Sequence, residues 1–383
     1  MSARLQTLLD EGAASGAFPC ARAVVLRRGE RVFEGGAGGA TARTRFDLAS
    51  LTKVMCTTSV FLSLWAEGAV DPATPLARHV PDSAAARAGI TVGDLLCHRS
   101  GLPAFVPFFA ETIREDPGLL DADAPAARRA AARRVVVERL LATPPVERPR
   151  TRAVYSDVGF MLLGELLSAV AGPPLEALFA VRVAAPLGLG AGFRRLSSRP
   201  AADPEIAPTG TTRPREPAPG QEGLWAPLRP HPSVPGEVDD DNAWALDGVA
   251  GHAGLFGTAA DVARFGRGVL DEVAGAGRIA ARPLWAEALR RDLETPGSTR
   301  ALGFDTRLPG DSPTDSSAGR HIGGVLPGAA GHVGFTGVSL WIDFARDVVV
   351  ALCTNRVALG RAETRIRLFR PRFHDAVIEA LGV

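Results

Sequence analysis

Three residues of this 383-residue chain differ in type from everything around them. Lys and Arg together number 43, yet Lys53 is the only lysine, so every other basic residue is arginine. Arginine keeps its proton at any working pH, whereas lysine gives it up when desolvated or set beside other positive charge. A position that retains Lys is therefore a candidate base. Ser50 stands three residues before it. On a helix that begins at Ser50, the two side chains share one face, a turn apart. The Ser50 N–H would be one of the unpaired amides of the first turn, free to bind a developing oxyanion. A serine hydroxyl is a poor nucleophile without a base. The helix dipole and burial both disfavour an ammonium, so Lys53 is expected to be neutral enough to take the proton. The competing reading is that Ser50 only caps the helix and Lys53 snorkels to solvent. Tyr155 is also alone, one tyrosine against 17 phenylalanines. Phe serves wherever a ring is needed for packing, so the hydroxyl at 155 is expected to have a task. Tyr155 falls in a loop immediately before a helix, well placed to project a polar tip into a cleft.

The elements that must position these groups can be read from periodicity. A short amphipathic helix is expected over 4–12. A hairpin follows, with strands 21–28 and 31–36 joined at Gly29-Glu30, read as a type II′ turn. The Ser50 helix runs to about Glu67, where Gly68 stops it; its body, VMCTTSVFLSLWA, is apolar nearly all round and so belongs between layers. A Thr91-capped helix, a helix over 120–142 and a helix beginning at Ser156 come next. Ten prolines between Pro200 and Pro235 mark a long loop, pinned by Ile206, Leu224 and Trp225. Thr258 caps another helix. Residues 332–344 and 348–355 read as two strands of one antiparallel hairpin, followed by a final helix over about 361–381. Strands early and late with helices between predict an α+β fold. Residues 1–70 and 245–383 would form one discontinuous sheet domain, and 71–244 a mainly helical lobe with its proline-rich loop at 200–236. A ligand site is expected at the seam.

Composition narrows the function. A 46% hydrophobic share, 22% charged residues and a net charge of +1 are those of an ordinary globular protein. The arginine clusters at 128–134 and 148–152 alternate with Ala, Pro and Glu, a solvated surface rather than a nucleic-acid face. The seven histidines show no paired ligand spacing, so neither metal nor cofactor is expected. His98 and His252 sit in Gly-containing turns and read as structural. Cys20, Cys56, Cys97 and Cys353 form no CxxC pair and read as free thiols. No signal-peptide run or membrane span is seen, which predicts a cytoplasmic protein.

SLTK (50–53), YSD (155–157) and HVG (332–334) resemble the three motifs of the serine β-lactamase and penicillin-binding-protein superfamily: SxxK, Tyr-x-Asn, and Lys-Thr-Gly or its His-x-Gly variant. FDLASLTK, LLCHRSGLP, YSDVGFMLLGELL and GHVGFTGVSLWID are similar to the class C β-lactamase-like branch, which includes D-alanyl-D-alanine carboxypeptidases, D-amino-acid peptidases and lactamase-like esterases. The resemblance covers roughly 20–356. It implies that Ser50 forms an acyl-enzyme, that Lys53 and Tyr155 share the proton transfers, and that the N–H groups of Ser50 and Phe335 form the oxyanion hole. It also implies that His332 holds a substrate carboxylate or tunes Tyr155, and that Gly334 lets an edge strand approach the substrate. The departure is Asp157 where the motif has Asn. An ionised carboxylate accepts but cannot donate, and beside Lys53 it would favour the ammonium; alternatively Asp157 is a helix N-cap facing away. Either way β-lactamase activity in particular becomes less expected.

The reading is a serine hydrolase of small-molecule esters or amides, an esterase or D-amino-acid-type amidase first. A D-alanyl-D-alanine carboxypeptidase or class C-like β-lactamase comes second, and acyl transfer is a further outcome of the same intermediate. A non-catalytic ligand-binding sensor of the same fold is the alternative from another class.

Overall fold

The computed structural model describes residues 2–198, 203–225, 228–234, 236–312 and 316–383. The strands are β1 (Ala21–Arg27), β2 (Glu30–Ala37), β3 (Phe46–Asp47), β4 (Gly192–Phe193), β5 (Thr212–Arg213), β6 (His231–Pro232), β7 (Leu255–Gly257), β8 (Asp305–Arg307), β9 (Ala329–Val333), β10 (Ser339–Asp343) and β11 (Val348–Thr354). Six form an antiparallel sheet in the order β2-β1-β11-β10-β9-β8. The N- and C-terminal parts of the chain thus meet in one sheet, as the α+β expectation requires.

The sheet is covered on both faces, and its central strands β10 and β11 are buried at every position. β11, VVVALCT, is buried throughout. Its alternate side chains serve two cores. Val25, Val350 and Leu352 pack with Leu5, Leu9, Phe373 and Val377 of the helices Ser2–Ala14 and Ile366–Leu381. Val24, Val349 and Ala351 pack on the other side with Val262 and Phe265 of the helix Ala259–Ala274. That helix begins at a capping box in which Thr258 and Asp261 satisfy each other's backbone amides. The Ser50 helix lies within the larger core, its Val54, Met55, Val60 and Phe61 all fully buried.

Four local expectations are corrected. The first hairpin turns at Arg28-Gly29, since Arg27 pairs with Glu30; φ is 52° and 80°, a type I′ turn, which matches the twist of the flanking strands. The 332–344 segment is two strands, β9 and β10, broken by a turn at Gly334–Gly337. The Ser50 helix is α-helical only at its ends; Lys53–Thr58 widens into π-helical turns. Of the residues expected to pin the proline-rich loop, Ile206 is buried and Trp225 meets Phe109 edge-on at 5.1 Å, whereas Leu224 is half exposed. Parts of that loop (200–202, 226–227 and 235) lie outside the described residues. All four cysteines are free and buried.

Candidate active site

An open pocket of about 340 Å³ is lined by Ser50, Tyr155, Asp157, His332, Gly334 and Phe335 together. Each arrives on a different element. Ser50 follows Ala49, whose φ of 45° is left-handed, a conformation costly for any residue with a Cβ. That kink turns the chain from β3 into the helix, closing the first turn through Leu51 N–H to Leu48 O (2.9 Å) and Lys53 N–H to Ser50 O (3.1 Å). The Ser50 N–H donates to no protein acceptor among the described residues.

Lys53 is completely buried, so its ammonium must find partners inside. Nζ donates to Ser50 Oγ (3.0 Å), Asp157 Oδ1 (2.6 Å) and the carbonyl of His252 (3.2 Å). Asp157 faces inward because it does not cap its helix. Ser156 does, accepting from Gly159 N–H at 3.0 Å while donating to Pro103 O at 2.7 Å. Burial pulls Lys53 toward the neutral amine, but the Asp157 carboxylate, with Tyr155 beside it, outweighs that pull, and the Lys53 pKa lies above the ordinary lysine value. The expectation of a neutral Lys53 is therefore corrected: the resting group is an ammonium, neither snorkelling nor free.

Tyr155 lines the pocket beside Ser50, its ring centroid 4.8 Å from Lys53 Nζ. Burial and Asp157 push its phenol above the usual range, against the pull of Lys53. Its ring is held against His98 at 4.6 Å. His98 in turn accepts from Ser156 N–H through Nδ1 (3.0 Å), fixing the turn that presents Tyr155. His252 contributes its carbonyl to Lys53 and its Nε2 to Asp240 (2.9 Å). Both histidines shape the site without lying at its reacting end, as their turns suggested.

The opposite wall is β9 and the turn after it. His332 is 2% exposed. Its Nδ1 lies 2.8 Å from Val333 O, an atom that only accepts, so the ring proton is on Nδ1 and Nε2 is a bare acceptor. Nε2 is buried and has no partner among the described residues. Burial, then Arg300 and Lys53, drive the imidazole pKa well below its ordinary value. A neutral His332 brings no positive charge to a substrate carboxylate; its ring lies 5.7 Å from that of Tyr155, the group it was alternatively expected to tune. Gly334 lines the pocket and also permits a close approach within the protein. A Cβ there would meet Val338 Cγ2 at 2.4 Å, Leu48 O at 3.0 Å and Ala49 Cβ at 3.1 Å, so the residue lets the turn pack on the chain leading to Ser50. β8 pairs outside β9 only along Ala329–Gly331, so His332 and Val333 have no strand neighbour on that side among the described residues, as an edge facing the pocket requires. Phe335 N–H, like that of Ser50, is unpaired among the described residues.

Residues 5–370 match the family model described as Beta-lactamase. The chain belongs to the β-lactamase family. It is 27% identical over 331 residues to an Escherichia coli (strain K12) protein provisionally named a D-alanyl-D-alanine carboxypeptidase, covering 83% of this chain and 70% of that one. A D-stereospecific amidohydrolase from Streptomyces superposes with a TM-score of 0.64 at 22% identity, covering 93% and 94%. EstCE1, a hydrolase with promiscuous acyltransferase activity, superposes with a TM-score of 0.66 at 20% identity, covering 96% and 98%. These proteins share the fold, and the family makes this chain a serine hydrolase.

In this β-lactamase-family member the positive charge of the pocket comes from residues the motifs do not mark. Arg300, Arg356, Arg361, Arg367 and Arg370 all line it. Arg361 is compensated by Asp239 (3.2 Å) and Asp241 (3.1 Å). Arg356 and Arg370 donate instead to backbone carbonyls, Arg356 Nε to Phe335 O at 2.7 Å and Arg370 Nε to Gly337 O at 3.2 Å. Burial and then mutual repulsion pull Arg356 down to about 10, and Arg370 down to about 9. Arg300 lies over the Tyr155 ring at 5.3 Å, and its nearest carboxylate, Asp305, is 3.9 Å away. The sequence carried a signal for this wall in NRVALGRAETRIRLFRPR, whose arginines far outnumber its single acid.

Proposed function

We propose that the protein hydrolyses small esters or amides through an acyl-enzyme at Ser50, with D-amino-acid amides and short-chain esters as the first substrates to try. The observation that carries this is Lys53 Nζ at 3.0 Å from Ser50 Oγ and 2.6 Å from Asp157 Oδ1, on the floor of an open pocket. An ammonium cannot take a proton, so it must first pass one on. The short bond to Asp157 supplies the route. As Ser50 Oγ attacks the substrate carbonyl, its proton moves to Lys53 Nζ while one Lys53 proton moves to Asp157. The oxyanion receives the unpaired N–H groups of Ser50 and Phe335. Collapse breaks the bond to the leaving group, which takes the Tyr155 hydroxyl proton. The proton parked on Asp157 returns through Lys53 to Tyr155. Water then repeats the sequence on the acyl-enzyme. An alcohol or amine in place of that water gives acyl transfer.

A second reading, a D-alanyl-D-alanine carboxypeptidase, is favoured by the arginine wall, which suits a substrate with a terminal carboxylate, and by the name of the Escherichia coli relative. A fluorophosphonate probe tests the shared mechanism: it should label wild type, and Ser50→Ala should not react. Labelling that survives this substitution would remove Ser50 from the chemistry. A panel of p-nitrophenyl esters, D-amino-acid amides, D-alanyl peptides and a chromogenic cephalosporin then ranks the substrates.

A further inference from the structure

The motif residues are held in place by a buried carboxylate that none of the motifs contains. Asp47, on β3, is 3% exposed, and all of its hydrogen bonds go to segments that build the site. Oδ1 accepts from the N–H of Ala49, the left-handed residue that kinks the chain into Ser50 (2.8 Å). Oδ2 accepts from the N–H of Asp239 (2.6 Å). The next residue, Asp240, holds His252 Nε2, and the His252 carbonyl receives Lys53 Nζ. The backbone carbonyl of Asp47 accepts from Thr336 Oγ1 (2.7 Å), the residue after Phe335. One residue thus joins the nucleophile's turn, the segment that anchors Lys53 and the turn that offers the second oxyanion amide. Among the described residues nothing cationic pairs with it. Its neighbours Asp239 and Asp240 are acidic, and the nearby basic side chains are turned to them: Arg215 and Arg361 to Asp239, His252 to Asp240. Ala49 and Thr336, its other partners, are uncharged.

We propose that Asp47 is a positioning residue whose ionised carboxylate sets the relative placement of Ser50, Lys53 and the Phe335 amide. The inference rests on Ser50 as the nucleophile. Two N–H donors converge on the two carboxylate oxygens, and only the ionised form satisfies both; a proton on either oxygen sets donor against donor. Burial, with Asp239 and Asp240, raises the Asp47 carboxyl to about 7, so the arrangement is complete above neutrality and lost below it. Asp47→Asn is isosteric and imitates the protonated form, since its NH₂ group cannot accept.

The test measures the rate of fluorophosphonate labelling and its final extent from pH 5 to 9, for wild type, Asp47→Asn and Thr336→Val. Extent counts folded sites, while rate reads how well Ser50 is aimed. The wild-type rate should rise with pH through a midpoint near 7. In Asp47→Asn the rate should lie roughly tenfold to a hundredfold below wild type at pH 8.5, the scale of a small misplacement. It should show no rise near 7 and meet the wild-type curve at low pH, with the extent unchanged. A merely structural role would lower extent and leave rate and profile alone, overturning the proposal. So would a rise that persists in Asp47→Asn, which would belong to another group, His252 foremost. Should Asp47→Asn fail to fold, Thr336→Val decides: it should slow labelling yet keep the wild-type midpoint, and a wild-type profile flat through 7 would overturn the idea. Labelling retained in Ser50→Ala would instead defeat the nucleophile reading, a result that none of the Asp47 outcomes reproduces.

Discussion

Lys53, behind the Ser50 and Asp157 that line the pocket, and His332, in its lining, are both buried and differ in charge state. Lys53 is 0% exposed and charged; His332 is 2% exposed and neutral. Burial works against the proton on both. The difference is the partner. Asp157 reaches Lys53 at 2.6 Å, whereas His332 meets no carboxylate and feels the like charges of Arg300 and Lys53. The wall with the carboxylate can move protons. The other can only accept a hydrogen bond at Nε2 and exclude water. Burial sets how much a charge costs, and the neighbour decides whether the site keeps it.

Breaking the charged wall should have the largest effect. Lys53→Met removes the group that relays the Ser50 proton, so kcat/KM for a p-nitrophenyl ester should fall roughly a thousandfold, within the usual range of a lost acid–base group. Circular dichroism should show a native fold, because Asp157, left without its partner, keeps some contact with solvent. A loss below about tenfold would show that proton transfer bypasses Lys53. Asp157→Asn sharpens the same comparison by making Lys53 resemble His332. Its pKa must fall once the carboxylate no longer outweighs desolvation. The proton then has nowhere to be parked, and the rate at pH 7 should drop by about tenfold to a hundredfold. The free amine can act directly, so activity should return as pH rises through the lowered lysine pKa, adding an ascending limb of its own to the rise near 7 that Asp47 gives wild type. An unchanged pH–rate profile would mean that Asp157 does not control Lys53.

How far the sequence revealed this contrast follows from the kind of interaction. Ser50, Lys53 and Tyr155 were legible because each residue type is rare or spaced by one helical turn, and those properties are local. The sheet was legible because β10 and β11 carry apolar runs, Leu340–Ile342 and Val348–Cys353, close together in the chain. The charge states were not, because they depend on residues distant along the chain. Whether Asp157 faced Lys53 turned on which of two adjacent residues capped the helix, and Ser156 took that place. Arg300, which adds to burial in keeping His332 neutral, comes from the chain before β8 and belongs to no motif. The 334–337 turn was hidden because HVGFTGV sustains an apolar alternation while Gly337, at φ 107°, lets the chain reverse. The π-helical turns at Lys53–Thr58 carry no periodic signal at all, since they displace the pattern by a single residue.

The smallest effect is expected on the neutral wall, and its smallness is the informative part. His332→Gln keeps a neutral side chain of similar reach whose carbonyl oxygen can take over the acceptor role of Nε2. If His332 worked as a cation, like the lysine of the third motif, this change would remove a charge facing the substrate and cost the 1.5–3 kcal/mol typical of a charged hydrogen bond, about tenfold or more in kcat/KM for a carboxylate-bearing substrate. If it is the neutral acceptor that its geometry indicates, kcat/KM should stay within about threefold for neutral and anionic esters alike. The ratio of the two rates should not move, because the charge that reads an anion resides on Arg300, Arg356, Arg367 and Arg370. Paired measurements on a neutral ester and its carboxylate analogue therefore separate the two walls: a selective loss for the anion would return the charge to His332, and parallel rates leave it with the arginines.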